Sequence, residues 1–280
     1  MLLEATTWNV ELAHDEGVAY GHQSILGGYV GAYAPAMNLH RTPFGGRNFE
    51  YYSEDGFISG KIGAQVVAGL QSDGVMVYIK HFVMNDNDTN RTGNMTWANE
   101  QAIREVYCRP YELSVKEGGA LGIMASLNRI GMSWGHYGLY VNILRGEWGF
   151  GGYVMTDGVP PGFSDLYNPP SLCLTSQVAM LSRGDTVDGA NYTAVEGTGA
   201  TDTNYGQYRL QENAHLLFYQ MVATGDEGGS GSAAMNAEST DNNAWKIAWI
   251  AIDVVLAAGV AVLALSIVKG KKQPIAIVEK

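Results

Sequence analysis

Short apolar runs and helical stretches take turns along this chain. The run Val75-Met76-Val77-Tyr78-Ile79-Lys80-His81-Phe82 is apolar and too short for a buried helix, which predicts a buried strand. Ala120-Leu121-Gly122-Ile123-Met124-Ala125-Ser126 and Gly152-Tyr153-Val154-Met155-Thr156-Asp157-Gly158 have the same character. So does the start of Tyr29-Val30-Gly31-Ala32-Tyr33-Ala34-Pro35, which ends at or before its proline. Residues 177–181 offer one more strand. Between the runs the period changes. Ile58, Ile62, Val66 and Leu70 stand four apart and predict a helix over residues 58–71. A long helix over 97–117 should be kinked or split by Pro110. Shorter helices are expected over 139–147 and 208–222, and one from Trp8 with Thr6 or Thr7 as its cap and Glu11 near the capping-box position.

Strand and helix in alternation predict a parallel sheet covered by helices, closed as a barrel or open as a doubly wound sheet. No Gly-x-Gly-x-x-Gly opens a helix after a strand, which weighs against a dinucleotide fold. Four or five strands precede residue 224, whereas a closed barrel needs eight. The loops at 40–55 and 85–95 are polar and patternless, and the aromatics of the first argue against disorder there.

At Gly225 the composition changes. Residues 225–243 are Gly, Ser, Ala, Asp and Asn, the make-up of a flexible linker. Residues 244–268 are apolar over a length that spans a bilayer, interrupted by Asp253. Lys269, Lys271 and Lys272 follow at once, against Lys246 alone at the other end. The positive-inside rule then predicts a single-pass protein of the cell membrane, with 1–243 outside and a cytoplasmic tail at 269–280. The first residues carry neither the basic start nor the long apolar core of a signal peptide.

Charge narrows the partners. A formal net charge of −11 with no basic patch makes nucleic acid a poor partner. The two cysteines, Cys108 and Cys173, show no metal-ligand or disulfide spacing, and no cofactor is expected.

Polar residues at strand ends and in the loops that follow are Arg47, Glu54, Lys80, His81, Asn85, Asp88, Arg91, Asn128 and Asp157. In an α/β barrel the C-terminal strand ends carry the chemistry, which makes Asp157 the candidate catalytic group. Arg, Lys and His converging on one carboxylate would keep it ionised, which suits a nucleophile. Each residue also has a plain structural reading. Asp157-Gly158 is a common turn pair. Arg47 and Glu54 could form a loop ion pair, and His81 could be a satisfied core histidine.

Several stretches, in order and in register, resemble glycoside hydrolase family 3, the β-glucosidase family. They are the run from Asn38 to Glu50 that contains Gly45-Gly46-Arg47-Asn48-Phe49, then Ser53-Glu54-Asp55, Lys80-His81-Phe82, residues 85–91, and Val154-Met155-Thr156-Asp157. The resemblance covers roughly residues 5–222. It implies an incomplete (β/α)8 barrel over residues 1–224 and retaining hydrolysis of terminal β-glucosides or oligosaccharides. It implies Asp157 as nucleophile, with Arg47, Lys80, His81 and Arg91 holding hydroxyls of the sugar. Val83-Met84-Asn85-Asp86 stands where the hexosaminidase branch has Pro-Gly-His-Gly, which favours the glucosidase branch.

The departures have consequences. Leu127 stands where the family usually has tyrosine, and Gly158 where it often has tryptophan. The acid/base glutamate usually sits in a second domain, which is expected upstream of this chain. The alternatives are a non-catalytic carbohydrate-binding remnant of the same fold and Schiff-base chemistry at Lys80. The lysine asymmetry around residues 244–268 carries a test of its own. Protease added to intact cells should remove the part before residue 244 and leave a membrane-held remnant; full protection of that part would reverse the orientation.

Overall fold

The computed structural model describes residues 1–91, 93–131, 136–158 and 204–226. The chain divides into two units, Met1–Ala234 and Met235–Lys280, and the described residues belong to the first. The expected strand at 177–181 and the expected span at 244–268 lie outside the described residues. Among those described, no helix is long and apolar enough to cross a membrane.

The chain opens with two helices, α1 (Leu2–Thr7) and α2 (Val10–Leu26). The cap differs from the expected one. Asn9, not Thr6 or Thr7, caps α2, its Oδ1 accepting the N–H groups of Glu11 and Leu12 at 3.0 Å each. Trp8 adopts a left-handed conformation (φ 55°), which breaks α1 from α2 and leaves Asn9 extended as a cap must be.

Strand β1 (Gly31–Ala32) is followed by a one-turn 3₁₀ helix, Asn48–Glu50, and by α3 (Gly56–Ser72), capped by Asp55. The expected strand at 75–82 is two segments, β2 (Met76–Val77) and β3 (Ile79–Phe82). The expected long helix is broken as its proline requires. A short α4 (Glu100–Ala102) passes into a π-helical stretch, Ile103–Tyr107, and then into α5 (Arg109–Lys116), with Pro110 in its first turn where no N–H is needed. Between β3 and α4 lies β4 (Met95–Thr96). Then come β5 (Gly122–Ala125), β6 (Arg129–Ile130), a π-helical segment Gly138–Glu147, β7 (Tyr153–Met155) and α6 (Asn204–Asp226).

Strand order separates the two parallel architectures left open by periodicity. β1 pairs with β2, an isolated bridge joins Ala36 to Lys80, and β3, β5 and β7 form one ladder, all parallel. Each strand therefore lies beside the next in sequence, across a helical connection. That is the order of a barrel wall; a doubly wound sheet reverses at a switch point. β4 and β6 make a small extra ladder in the loops beyond the C-terminal ends of β3 and β5.

Alternation along the strands makes two apolar faces. Val77, Ile79, Ile123, Ala125 and Val154 join the main core with Ile62, Val66 and Leu70 of α3 and with Tyr111 of α5. Tyr78, Met124, Tyr153 and Met155 form a second cluster, against which Leu216 and Leu217 of α6 pack. α6 thus covers the sheet face opposite to α3 and α5. In a closed barrel wall that face is filled by strand side chains; here a helix also lies on it.

At the α2–α3 contact the packing is close enough to need glycine. A Cβ on Gly17 would sit 2.5 Å from Val66 O, and one on Gly69 would collide with His14 O and stand 2.7 Å from Val18 N. The obstacles are backbone, so neither can yield by a rotamer change. Gly69→Ala should cost about 1–3 kcal/mol through overpacking, and Asn9→Ala about 1 kcal/mol through the lost cap. Urea unfolding of the two variants should rank them in that order. An unchanged Gly69→Ala midpoint would mean that the helices do not pack as described.

Candidate functional site

The candidate residues gather at the C-terminal ends of β3 and β7 and on the loop after β1. Position begins with β3. Its end is buried, so its backbone groups need partners inside the protein. Lys80 N–H donates to Pro35 O at 3.0 Å, and Lys80 O accepts the Met37 N–H at 2.6 Å. His81 N–H donates to Asn38 Oδ1 at 2.9 Å, and His81 O accepts from Asn38 Nδ2 at 3.0 Å and from the Tyr111 hydroxyl at 2.8 Å. Phe82 O accepts the Ser126 N–H and the Tyr140 hydroxyl, both at 2.9 Å. The rings of Tyr111, Tyr140 and Trp148 meet Phe82 edge to face at centroid distances of 5.0, 5.3 and 6.0 Å. The peptide bonds Lys80–His81 and Phe82–Val83 are cis.

β7 is placed from below. Arg145, on the preceding π-helical segment, donates from Nη1 to Gly152 O at 3.0 Å and to Phe150 O at 3.3 Å. Parallel pairing of Gly122–Met124 with Tyr153–Met155 then brings Asp157 to the same end of the sheet as His81. His81 Nε2 and Asp157 Oδ2 are 3.9 Å apart. That is too long for a hydrogen bond. Asp157 Oδ1 accepts the Gly158 N–H at 2.7 Å, so the turn reading of this Asp-Gly pair also has an observation behind it. The Asp157 side chain is 21% exposed, open to a ligand, whereas His81 is 2% exposed.

The cations do not converge on Asp157 as expected. Arg47 Nε and Lys80 Nζ both meet Glu50, Arg47 on Oε1 and Lys80 on Oε2, the latter at 3.2 Å. Arg47 pairs with Glu50 and not with Glu54. Glu54 is exposed and accepts from Ser53 Oγ at 3.2 Å. Arg91 Nη1 stands 3.0 Å from Asp88 Oδ1, and the Arg91 N–H donates to Asp88 O at 3.3 Å. Glu50 is the residue that sequence reasoning passed over. Its signal was there: at 47 and 50 an Arg and a Glu lie three apart on one helical turn, the spacing at which side chains meet.

His81 senses all three cations. Burial, and then the charges of Arg47, Lys80 and Arg91, hold its imidazole well below the ordinary histidine value. It is a neutral ring in a cationic neighbourhood. Asp86 anchors the loop from the other side, its Oδ1 accepting the Leu39 N–H at 2.6 Å. Burial pushes its carboxyl up to about 6, against the pull of that N–H and of Arg41. Asn85 is tied through its backbone and Asn128 through its side chain. Asn85 O accepts the Tyr51 hydroxyl at 3.0 Å, and Asn128 Nδ2 donates to Val83 O and Thr96 Oγ1 at 3.2 and 2.9 Å. Leu127, at the end of β5, is buried.

A parallel α/β wall with a charged cluster at its C-terminal strand ends defines a barrel-type protein with its site at the usual end. The model of the glycosyl hydrolase family 3 N-terminal domain matches residues 1–179, and the chain belongs to that family. A curated relative, β-glucosidase A of Butyrivibrio fibrisolvens, is 41% identical over 167 residues, covering 59% of this chain and 20% of that protein. The exo-α-(1→6)-L-arabinopyranosidase of Bifidobacterium longum is 38% identical over 155 residues, covering 55% of this chain and again 20% of the relative. The solved structure of β-glucosidase 3B from Thermotoga neapolitana with α-D-glucose superposes with a TM-score of 0.70 at 31% identity, over 82% of this chain and 33% of that one. The chain spans about a fifth of the length of the curated relatives it matches.

Glu50 holds two of the four candidate sugar-binding residues. Glu50→Gln keeps the shape and removes the charge, leaving Arg47 and Lys80 facing one another. It should cost about 1.5–3 kcal/mol in urea unfolding, the range for hydrogen bonds to charged groups. Adding Lys80→Met should recover part of the loss. Additive losses in the double variant would show that the two side chains do not interact.

Proposed function

We propose that the chain binds the glycone of a terminal β-glucoside and takes part in its hydrolysis with retention, Asp157 being the nucleophile. Arg47, Lys80, His81 and Arg91 hold the hydroxyls. The observation that carries the reading is the 3.9 Å approach of Asp157 to buried His81 at the C-terminal ends of β3 and β7, the parallel strands on either side of β5. Family membership and the β-glucosidase names of the relatives support it. In retaining chemistry one carboxylate attacks the anomeric carbon and a second carboxyl, about 5–5.5 Å away, protonates the leaving oxygen. The second carboxyl in this proposal comes from a domain outside the chain. Schiff-base chemistry at Lys80 would have to break its ion pair with Glu50.

A second reading, sugar binding without turnover, is favoured by the Gly158 N–H on Asp157 Oδ1, a contact typical of a structural turn. The proposal includes attachment to the cell membrane by residues 244–268, with the sugar site on the outer side; the lysines at 269, 271 and 272 support it.

A 2-deoxy-2-fluoro glucoside with an acidic leaving group needs no acid catalyst, so it can report on Asp157 in the chain alone. It should label Asp157 covalently, and Asp157→Ala should abolish labelling. Cellobiose should be turned over about 10²–10⁴-fold less well than an intact acid would allow, while an aryl glucoside with an acidic phenol retains slow hydrolysis that azide accelerates. Label on a different carboxylate refutes the nucleophile. Sugar binding with no label and no turnover leaves the binding-only reading.

A further inference from the structure

Asn38 grips His81 with its whole amide, and the grip has a chemical consequence. The amide cannot be turned over. Oδ1 accepts the His81 N–H at 2.9 Å while Nδ2 donates to His81 O at 3.0 Å, and a flipped amide would set donor against donor and acceptor against acceptor. The same Oδ1 lies 3.2 Å from His81 Nδ1. An oxygen that only accepts requires a proton on that nitrogen. A neutral imidazole carries one N–H, so Nε2 is left with a lone pair. The ring is buried and surrounded by Arg47, Lys80 and Arg91, which disfavour a second proton.

We propose that Asn38 is a positioning residue that fixes His81 as its Nδ1–H tautomer, so that Nε2 accepts a hydrogen bond from a substrate hydroxyl. The part about the hydroxyl rests on the glycoside reading above; the part about the tautomer does not. The arrangement divides the labour among the four candidate sugar ligands. Arginine and lysine can only donate. A sugar hydroxyl has lone pairs for them and also a hydrogen that needs an acceptor. Nε2 faces Asp157 Oδ2 across 3.9 Å, two acceptors with a gap between them. A hydroxyl beside them can give its one hydrogen to Nε2, which leaves the carboxylate to the anomeric carbon. The opposite tautomer would set a lone pair of Nδ1 against Asn38 Oδ1.

The tautomer is read directly by long-range proton–nitrogen correlation on the full chain labelled with ¹⁵N-histidine, the His81 signals being those lost in His81→Gln. The wild type should show a protonated Nδ1 and a bare Nε2, and should keep them at pH values below the ordinary imidazole value of about 6.5. Asn38→Asp, which still accepts from both N–H groups, should keep the tautomer. Asn38→Leu should shift it toward Nε2–H. With an aryl glucoside, Asn38→Leu should lower kcat/KM on the order of tenfold, the worth of about one hydrogen bond, and Asn38→Asp should lower it less. A wild-type Nε2–H signal overturns the proposal, and so does an unshifted tautomer in Asn38→Leu. If Asn38→Leu does not fold, the wild-type spectrum decides, and an Nε2–H signal in it overturns the proposal. A chain with the Nδ1–H tautomer and no turnover of any glucoside sinks the hydrolase reading and leaves the tautomer assignment standing.

Discussion

A buried strand end has to find partners for its backbone, and most of this structure follows from how β3 does so. Its last residues are buried, and there an unmade hydrogen bond costs about 1–3 kcal/mol. The partners come from four places: the Asn38 amide, the Tyr111 and Tyr140 hydroxyls, and the Ser126 N–H. These lie after β1, on α5, on the π-helical segment and after β5. Satisfying β3 therefore draws the loops of the site together. The aromatic rings that bring two of those hydroxyls also bury Phe82, so apolar packing and polar satisfaction are supplied by the same side chains.

The electrostatics follow from that placing. A chain of formal charge −11 keeps a group of cations at one end of its sheet by giving them local carboxylates, Glu50 for Arg47 and Lys80, Asp88 for Arg91. Pairing holds these long side chains in place before any ligand arrives, which lowers the cost of ordering them on binding. Among the described residues, no arginine or lysine pairs with Asp157, whose Oδ2 faces a neutral His81. This end of the sheet thus holds two paired cations on Glu50, a buried imidazole and one partly exposed carboxylate.

The sheet has its own asymmetry. Sequential parallel order gives it the character of a barrel wall, yet both its faces are apolar and both are covered. α3 and α5 lie on one side with the main core, and α6 lies on the other through Leu216 and Leu217. Tyr78, Met124, Tyr153 and Met155, which would otherwise face an open interior, are buried by it.

Amino-acid order by itself determined the local and the periodic features. The four-residue spacing in α3, the break at Pro110, the short buried strands and the family motifs that place Arg47, Lys80, His81, Arg91 and Asp157 are properties of neighbours along the chain. Hydrophobic periodicity and turn chemistry act at that range. Which partner each polar group takes was decided by the folded backbone, locally in two cases and by tertiary structure in two others. Asn9 won the cap from two threonines because Trp8 turned left-handed. Arg47 chose Glu50 over Glu54 because the 3₁₀ turn at Asn48–Glu50 brings residue 50 to its guanidinium. Asn38 met His81 across a separation of 43 residues, and α6 found a sheet face that nothing in its own period assigns to it. These last two pairings depend on which surfaces remain after the strands have stacked, and a linear pattern holds no record of distances between residues that far apart.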